Sequence, residues 1–156
     1  MRRRLYALLL GTGLLTTTFA TAQQARATLG ESADSVTSDQ KSLSAVRRAT
    51  TIRNGYTVHE LASDSTTIRE YVAPSGIVFG IAWNGLVYPD LTPLLGPYFS
   101  EYREAARRTA RKPGRRGLQV KTDRVVVEKW GHMRNLQGRA YAPALLPPGV
   151  SVDEIR

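Results

Sequence analysis

The sequence predicts an α+β fold: an antiparallel β-meander with one amphipathic helix packed on it and further strands toward the C-terminus. Three observations predict it. Between Tyr56 and Asn84, β-branched and aromatic residues alternate with polar ones across two turn-forming clusters. From Leu91 to Thr109, leucine, tyrosine, phenylalanine and alanine recur at helical spacing. Between Gly117 and Ala142, two strand-like runs and a third candidate follow one another.

The chain opens with an address. Arg2, Arg3 and Arg4 precede a short apolar run that ends in Ala20-Thr21-Ala22, which reads as a secretory signal peptide over residues 1–22. The run is short and interrupted by Gly11, Gly13 and threonines, so it does not suit a membrane span, and none is expected after cleavage. An uncleaved anchor is the other reading. The arginines sit too close to Met1, and lack the flanking pattern, for the twin-arginine route, so general secretion is expected. Cleavage after Ala22 removes three arginines and takes the net charge from +9 to +6. The absence of cysteine excludes disulfides, thiolate metal sites, a cysteine nucleophile and a lipoprotein anchor.

Residues 23–54 form a polar, partly flexible N-terminal segment, in which Ser38 to Arg48 is expected as a short helix with a thin apolar face of Leu43 and Val46. Arg53-Asn54-Gly55 is the turn that leads into the sheet. The single α+β domain is assigned to residues 55–143. Asp64-Ser65 and Pro74-Ser75 are read as two-residue loops, which fixes a register. Leu61 then opposes Ile68, His59 opposes Glu70 and Thr57 opposes Val72. On the next pair Val72 opposes Ile77, Glu70 opposes Phe79 and Ile68 opposes Ile81. The face bearing Leu61, Ile68, Val72, Ile77, Phe79, Ile81 and Trp83 is expected to be buried. The other face, with Tyr56, Val58, Glu60, Arg69, Tyr71 and Val78, is mixed, and its tyrosines and arginines are candidates for a contact surface.

Asp90 is placed to cap a helix from Leu91. Pro97 inside the stripe would clash with the carbonyl of Pro93 and has no amide hydrogen, so a break is expected near Gly96-Pro97, with the main helix from Pro97 to Arg111. Thr122-Asp123 and Gly131 to Asn135 are turns between strands at Gly117–Lys121, Arg124–Trp130 and Leu136–Ala142. Residues 144–156 are a Pro-rich C-terminal tail, apolar enough at Leu145, Leu146, Val150, Val152 and Ile155 to lie across the domain or meet a partner.

Two constellations bear on function. Arg107, Arg108, Arg111, Lys112, Arg115 and Arg116 form a dense basic run. The helix dipole accounts for cations at a helix C-terminus but explains Arg115 and Arg116 less well. In an exported protein the natural partners of such a run are an anionic envelope polymer, a lipid headgroup or a periplasmic protein. Nucleic acid is not expected, because export removes the chain from it and no aromatic residues interleave the run. The second constellation is the pair His59 and Glu70, where a carboxylate beside an imidazole is how a general base is built. The favoured reading is the plainer one, in which the two groups satisfy each other or sit at the sheet's edge in water. No phosphate-cradling glycine motif, zinc-protease motif or serine elbow occurs, only two histidines are present, and no metal or cofactor is expected.

The segments LGESADSVTSDQ, YTVHELASDSTTIREYVAPSGIVFGIAWNG, PDLTPLLGPYF and GRAYAPALLPPGVSVDEI resemble a family of exported proteins from Gram-negative bacteria catalogued as a domain of unknown function. The resemblance runs from Leu29 to the C-terminus. REYVAP and VFGIAW depart mildly from its REYVSP-like and VFAVAW-like segments. It implies export and one compact domain, and brings no catalytic residues. The leading expectation is therefore a non-enzymatic periplasmic binding or interaction module. The alternatives are a small hydrolase or transferase using His59 and Glu70, and a component of an export or surface-assembly system.

Overall fold

The structure, a computed structural model, describes residues 28–32, 46–109 and 117–156. The expected signal peptide lies outside them. Seven strands form one antiparallel sheet: β1 (Val46–Arg53), β2 (Tyr56–Ala62), β3 (Thr66–Val72), β4 (Val78–Gly85), β5 (Leu118–Lys121), β6 (Val126–His132) and β7 (Asn135–Tyr141). Their spatial order is β1-β2-β3-β4-β7-β6-β5. The chain lays down a four-stranded meander and crosses one face through α1 (Leu91–Leu95) and α2 (Phe99–Arg108). It then starts again at the far edge and works inward until β7 pairs with β4.

The β2–β3 register is the expected one: Leu61 opposes Ile68, His59 opposes Glu70 and Thr57 opposes Val72. The β3–β4 register is not. Val72 opposes Val78, Glu70 opposes Ile81 and Ile68 opposes Trp83. Two single-residue slips account for the difference. The loop holds three residues rather than two, since Ala73 N–H donates to Ile77 O at 2.9 Å across Pro74-Ser75-Gly76, with Gly76 at φ +80°. A bulge then leaves Phe79 as an extra residue between Val78 and Gly80. The first slip reverses which face each residue takes and the second restores it. Ile81 and Trp83 therefore reach the expected face, Val78 takes the place assigned to Ile77, and Phe79 turns to the opposite side.

Helices α1 and α2 and Leu29 cover the first face. Leu91, Leu94, Leu95 and Tyr102 join Leu61, Ile68, Val78, Ile81, Trp83, Val120 and Val127 in one core. Asp90 caps α1, its Oδ1 accepting from Thr92 N–H at 2.8 Å. The expected break falls at Gly96, where φ is +42°, and a short 3-10 turn (Gly96–Tyr98) holds Pro97 before α2 begins at Phe99. Helix α2 ends at Arg108 rather than Arg111. Thr109 is already extended, and both its amide and its hydroxyl donate to Ala105 O, at 3.0 and 2.8 Å.

The N-terminal segment contributes more than expected. Val46 to Arg48, assigned to the short helix Ser38–Arg48, begin strand β1 instead. The Asn54-Gly55 turn, with Gly55 at φ +93°, folds β1 back onto β2 as a tight hairpin. Leu29 is fully buried, and residues 29–31 hydrogen-bond to Leu94 and Val78.

The second face is closed as well. Phe79 packs edge-on against Tyr56 and Tyr71, with centroids 5.8 and 6.2 Å apart. The two tyrosines, expected to be exposed contact residues, are buried. Their cover is the C-terminal tail: Leu145, Leu146 and Val150 lie against the cluster and Ile155 is fully buried in it. Ile155 fits because Gly80 has no side chain; a Cβ there would stand 2.8 Å from Ile155 Cδ1. On the other face Gly138 gives Trp83 the same room, since a Cβ there would stand 2.3 Å from Trp83 Cζ2.

Replacing Ile155 with alanine opens a cavity beneath the tail. The expected loss is about 2–4 kcal/mol, read from urea unfolding. A loss below about 1 kcal/mol would show that the tail does not close this face.

Candidate functional site

His59 and Glu70 sit directly opposite each other on β2 and β3, on the helix-covered face. Glu70 is fully buried. His59 is half-buried, and its ring is engaged with the edge strand: Nδ1 lies 3.0 Å from Thr50 Oγ1 on β1. Burial pushes its pKa below the ordinary 6.5, and the positive charge of Arg47 adds to the effect. The environment therefore favours a neutral imidazole held by a hydroxyl.

Of the basic run, Arg107 and Arg108 lie in the last turn of α2 and are exposed. Arg108 pairs with Glu104 one turn back. Arg107 makes no ion pair among the described residues. Arg111, Lys112, Arg115 and Arg116 lie outside the described residues. Further cations stand on β1, which is exposed along its whole length and carries Arg47, Arg48 and Arg53.

Sequence reasoning missed the surface formed where the C-terminal tail crosses the second face. Residues 151–156 are tightly held. A capping box closes a 3-10 turn at Val152–Glu154, with Ser151 N–H donating to Glu154 Oε1 at 2.9 Å. Tyr71 hydroxyl donates to Arg156 O at 2.7 Å and accepts from Arg156 N–H at 3.0 Å. Tyr56 hydroxyl donates to Glu154 Oε2 at 2.8 Å. Burial first, and then the bond to Glu154, raises the Tyr56 pKa; the Ser151 amide, and then Tyr56, lowers that of Glu154.

Clefts open on both sides of this strap. Toward β1 to β3, a space of about 550 Å³ has three arginines in its lining, Arg53, Arg69 and Arg156, and two carboxylates, Glu60 and Glu154, beside Tyr56 and Tyr71. Toward β5 to β7, a shallower one of about 700 Å³ is lined by Gln119, Glu128, Trp130, Arg139 and Asp153. Arg139 organises the second. It pairs with Glu128 at 2.5 Å, donates to Val152 O at 2.8 Å, and lies between the rings of Trp130 and Tyr141. The alternation that put Tyr56, Glu60, Arg69 and Tyr71 on one face was legible. That the tail lies across the domain was one of the two readings of its apolar residues; that it covers this face was not foreseen.

Among the described residues no three His, Asp or Glu side chains converge as a metal site, and no helix is long and apolar enough to cross a membrane. The geometry defines a small α+β protein with one seven-stranded antiparallel sheet. Helices cover one face, and a tail flanked by polar clefts covers the other. The chain belongs to the family described as "Protein of unknown function (DUF2844)", whose model matches residues 25–155. No curated protein and no solved structure matches it.

The His59 environment has a consequence for stability. Its folded pKa lies below the unfolded 6.5, so the unfolded chain binds more protons in the window below that value. The His59 contribution is fully present above pH 6.5 and is lost as pH falls through that window. Urea midpoints at pH 7.5 and 5.5 are expected to differ more for the wild type than for His59→Gln. An equal drop in both proteins would remove the role assigned to burial of the ring.

Proposed function

We propose that this chain is an exported periplasmic binding module without chemistry of its own, and that it takes an anionic envelope component or protein partner on the basic run at residues 107–116. The observation that carries this reading is at the end of α2. Two exposed arginines stand in its last turn, Glu104 answers only one of them, and four further cations follow within eight residues. A helix dipole is served by the first two. The rest adds to the positive balance of the chain, +9 over the full sequence and +6 without residues 1–22. The Arg2-Arg3-Arg4 start and Ala20-Thr21-Ala22 ending support the export part of the reading. The hydrolase or transferase alternative gains no support from the His59 ring, whose hydrogen bond goes to Thr50.

The test is retention of the mature chain on an immobilised polyuronate and on vesicles containing an anionic phospholipid, at low and high salt. Wild type is expected to bind at low salt and to elute as salt screens exposed contacts, the Debye length being about 10 Å at 0.1 M. Arg111→Glu/Arg115→Glu/Arg116→Glu is expected to lose retention with an unchanged circular dichroism spectrum. Retention that survives the triple reversal would overturn this surface.

A further inference from the structure

We propose that the cleft between β1 to β3 and the C-terminal strap is a separate binding site for an acidic sugar, whose carboxylate or phosphate is held by Arg53, Arg69 and Arg156. It shares with the preceding proposal only the sign of the ligand's charge. The residues differ, and the site is a cleft rather than a helix end.

Convergence of charge is the first support. Arg53 comes from the end of β1, Arg69 from β3 and Arg156 from the strap, so three separate parts of the chain bring guanidinium groups to one space. All three act electrostatically on the same atom group, the Tyr71 hydroxyl, lowering its pKa against the rise that burial causes. Arg69 uses Nε on Glu60 at 3.0 Å and one terminal nitrogen on Arg156 O at 3.4 Å. Arg53 and the Arg156 guanidinium have no carboxylate partner within ion-pair distance among the described residues. Two carboxylates share the cleft, Glu60 and Glu154. Glu60 is taken by Arg69, and Glu154 accepts from the Tyr56 hydroxyl and the Ser151 amide while also standing in the field of Arg53. Three arginines against two carboxylates leave the cleft net positive, which favours an oxyanion whose paired oxygens match the arginine fork.

The lining narrows the class of ligand. A volume of about 550 Å³ suits a small molecule of one to a few rings. Thr51 and Asn54 add hydrogen-bonding groups, while the Tyr56 and Tyr71 hydroxyls are already engaged by the strap and only Ala49 and Val58 are aliphatic. That pattern fits a hydroxyl-rich anion better than a fatty acid or another apolar acid. The strap fixes the base of the site, because Ile155 and the Tyr71 hydroxyl hold the Arg156 backbone in place before any ligand arrives.

Two probes separate the two oxyanions: a galacturonic acid trisaccharide for the carboxylate and glucose 6-phosphate for the phosphate. Calorimetric titration of the mature chain is expected to show saturable binding of one of them, and the one that binds identifies the group. Arg53→Ala and Arg156→Ala are each expected to weaken it at least about tenfold. Both side chains are exposed, so melting temperatures should stay near wild type. Arg53→Lys should fall between, keeping the charge without the fork. Arg111→Glu/Arg115→Glu/Arg116→Glu should leave the affinity within about twofold. The proposal is overturned by any of three results: neither probe binding at concentrations up to about 10 mM, binding indifferent to Arg53 and Arg156, or binding lost equally in the basic-run variant. Only the third of these would leave the basic run as the anion site.

Discussion

Strand β4 holds one residue too many, and much of the architecture follows from where that residue goes. Without the bulge, the alternation inherited from the three-residue loop would send Ile81 and Trp83 away from the helices. The bulge returns them to the core and turns Phe79 outward, where it meets Tyr56 and Tyr71. An aromatic cluster of that size cannot be left in water without a large loss of apolar burial. Helices α1 and α2 are already committed to the other face. The second face is closed by the C-terminal residues, with Ile155 in the notch over Gly80. The strap in turn creates the two clefts. A one-residue feature of backbone pairing thus leads, through packing, to the polar surfaces on which binding is proposed.

What the sequence made legible follows the same logic. The β2–β3 register was readable because Leu61 and Ile68 must share a buried face and Asp64-Ser65 allows a tight turn. Helices α1 and α2 were readable because a single apolar stripe runs through both and Pro97 marks the break between them. The second register was missed because loop length and bulge are both backbone choices, and their errors cancel in the side-chain pattern beyond Phe79. Strand β1 was missed for a different reason. All eight of its residues are exposed, so burial imposes no alternation on VRRATTIR, and only the Asn54-Gly55 turn announces it. The candidate site was legible in its parts, since Arg69 and Tyr71 were assigned to one face, while Arg53 and Arg156 reach them only through tertiary structure.

Charge is distributed in two ways over this fold. Where carboxylates stand beside arginines, the pairs tie strands together: Glu60 with Arg69 across β2 and β3, Glu128 with Arg139 across β6 and β7, Glu101 with Arg124 between α2 and the β5–β6 connection. The last is exposed and contributes little to stability. Arg139 is different, since its planar group also stacks near two rings and holds the strap at Val152. These arginines are part of how the sheet coheres. The arginines left over, Arg107 at the helix end and Arg53 and Arg156 at the strap, serve no such pair.

That division bears on which chemistry suits the protein. A protonated His59 would lose hydration and stand in the field of Arg47, so the fold favours the neutral ring, which lies beside the Thr50 hydroxyl. Glu70 faces it from the neighbouring strand and is fully buried under the helix-side layer. Accessible polar groups lie on the opposite face, where three guanidiniums and an amide outnumber the carboxylates of Glu60 and Glu154 around a strap anchored by a buried isoleucine. On the binding proposed above, rigidity would come from burial of the strap on the sheet, and recognition of negative charge from cations that the sheet's own ion pairs leave unused.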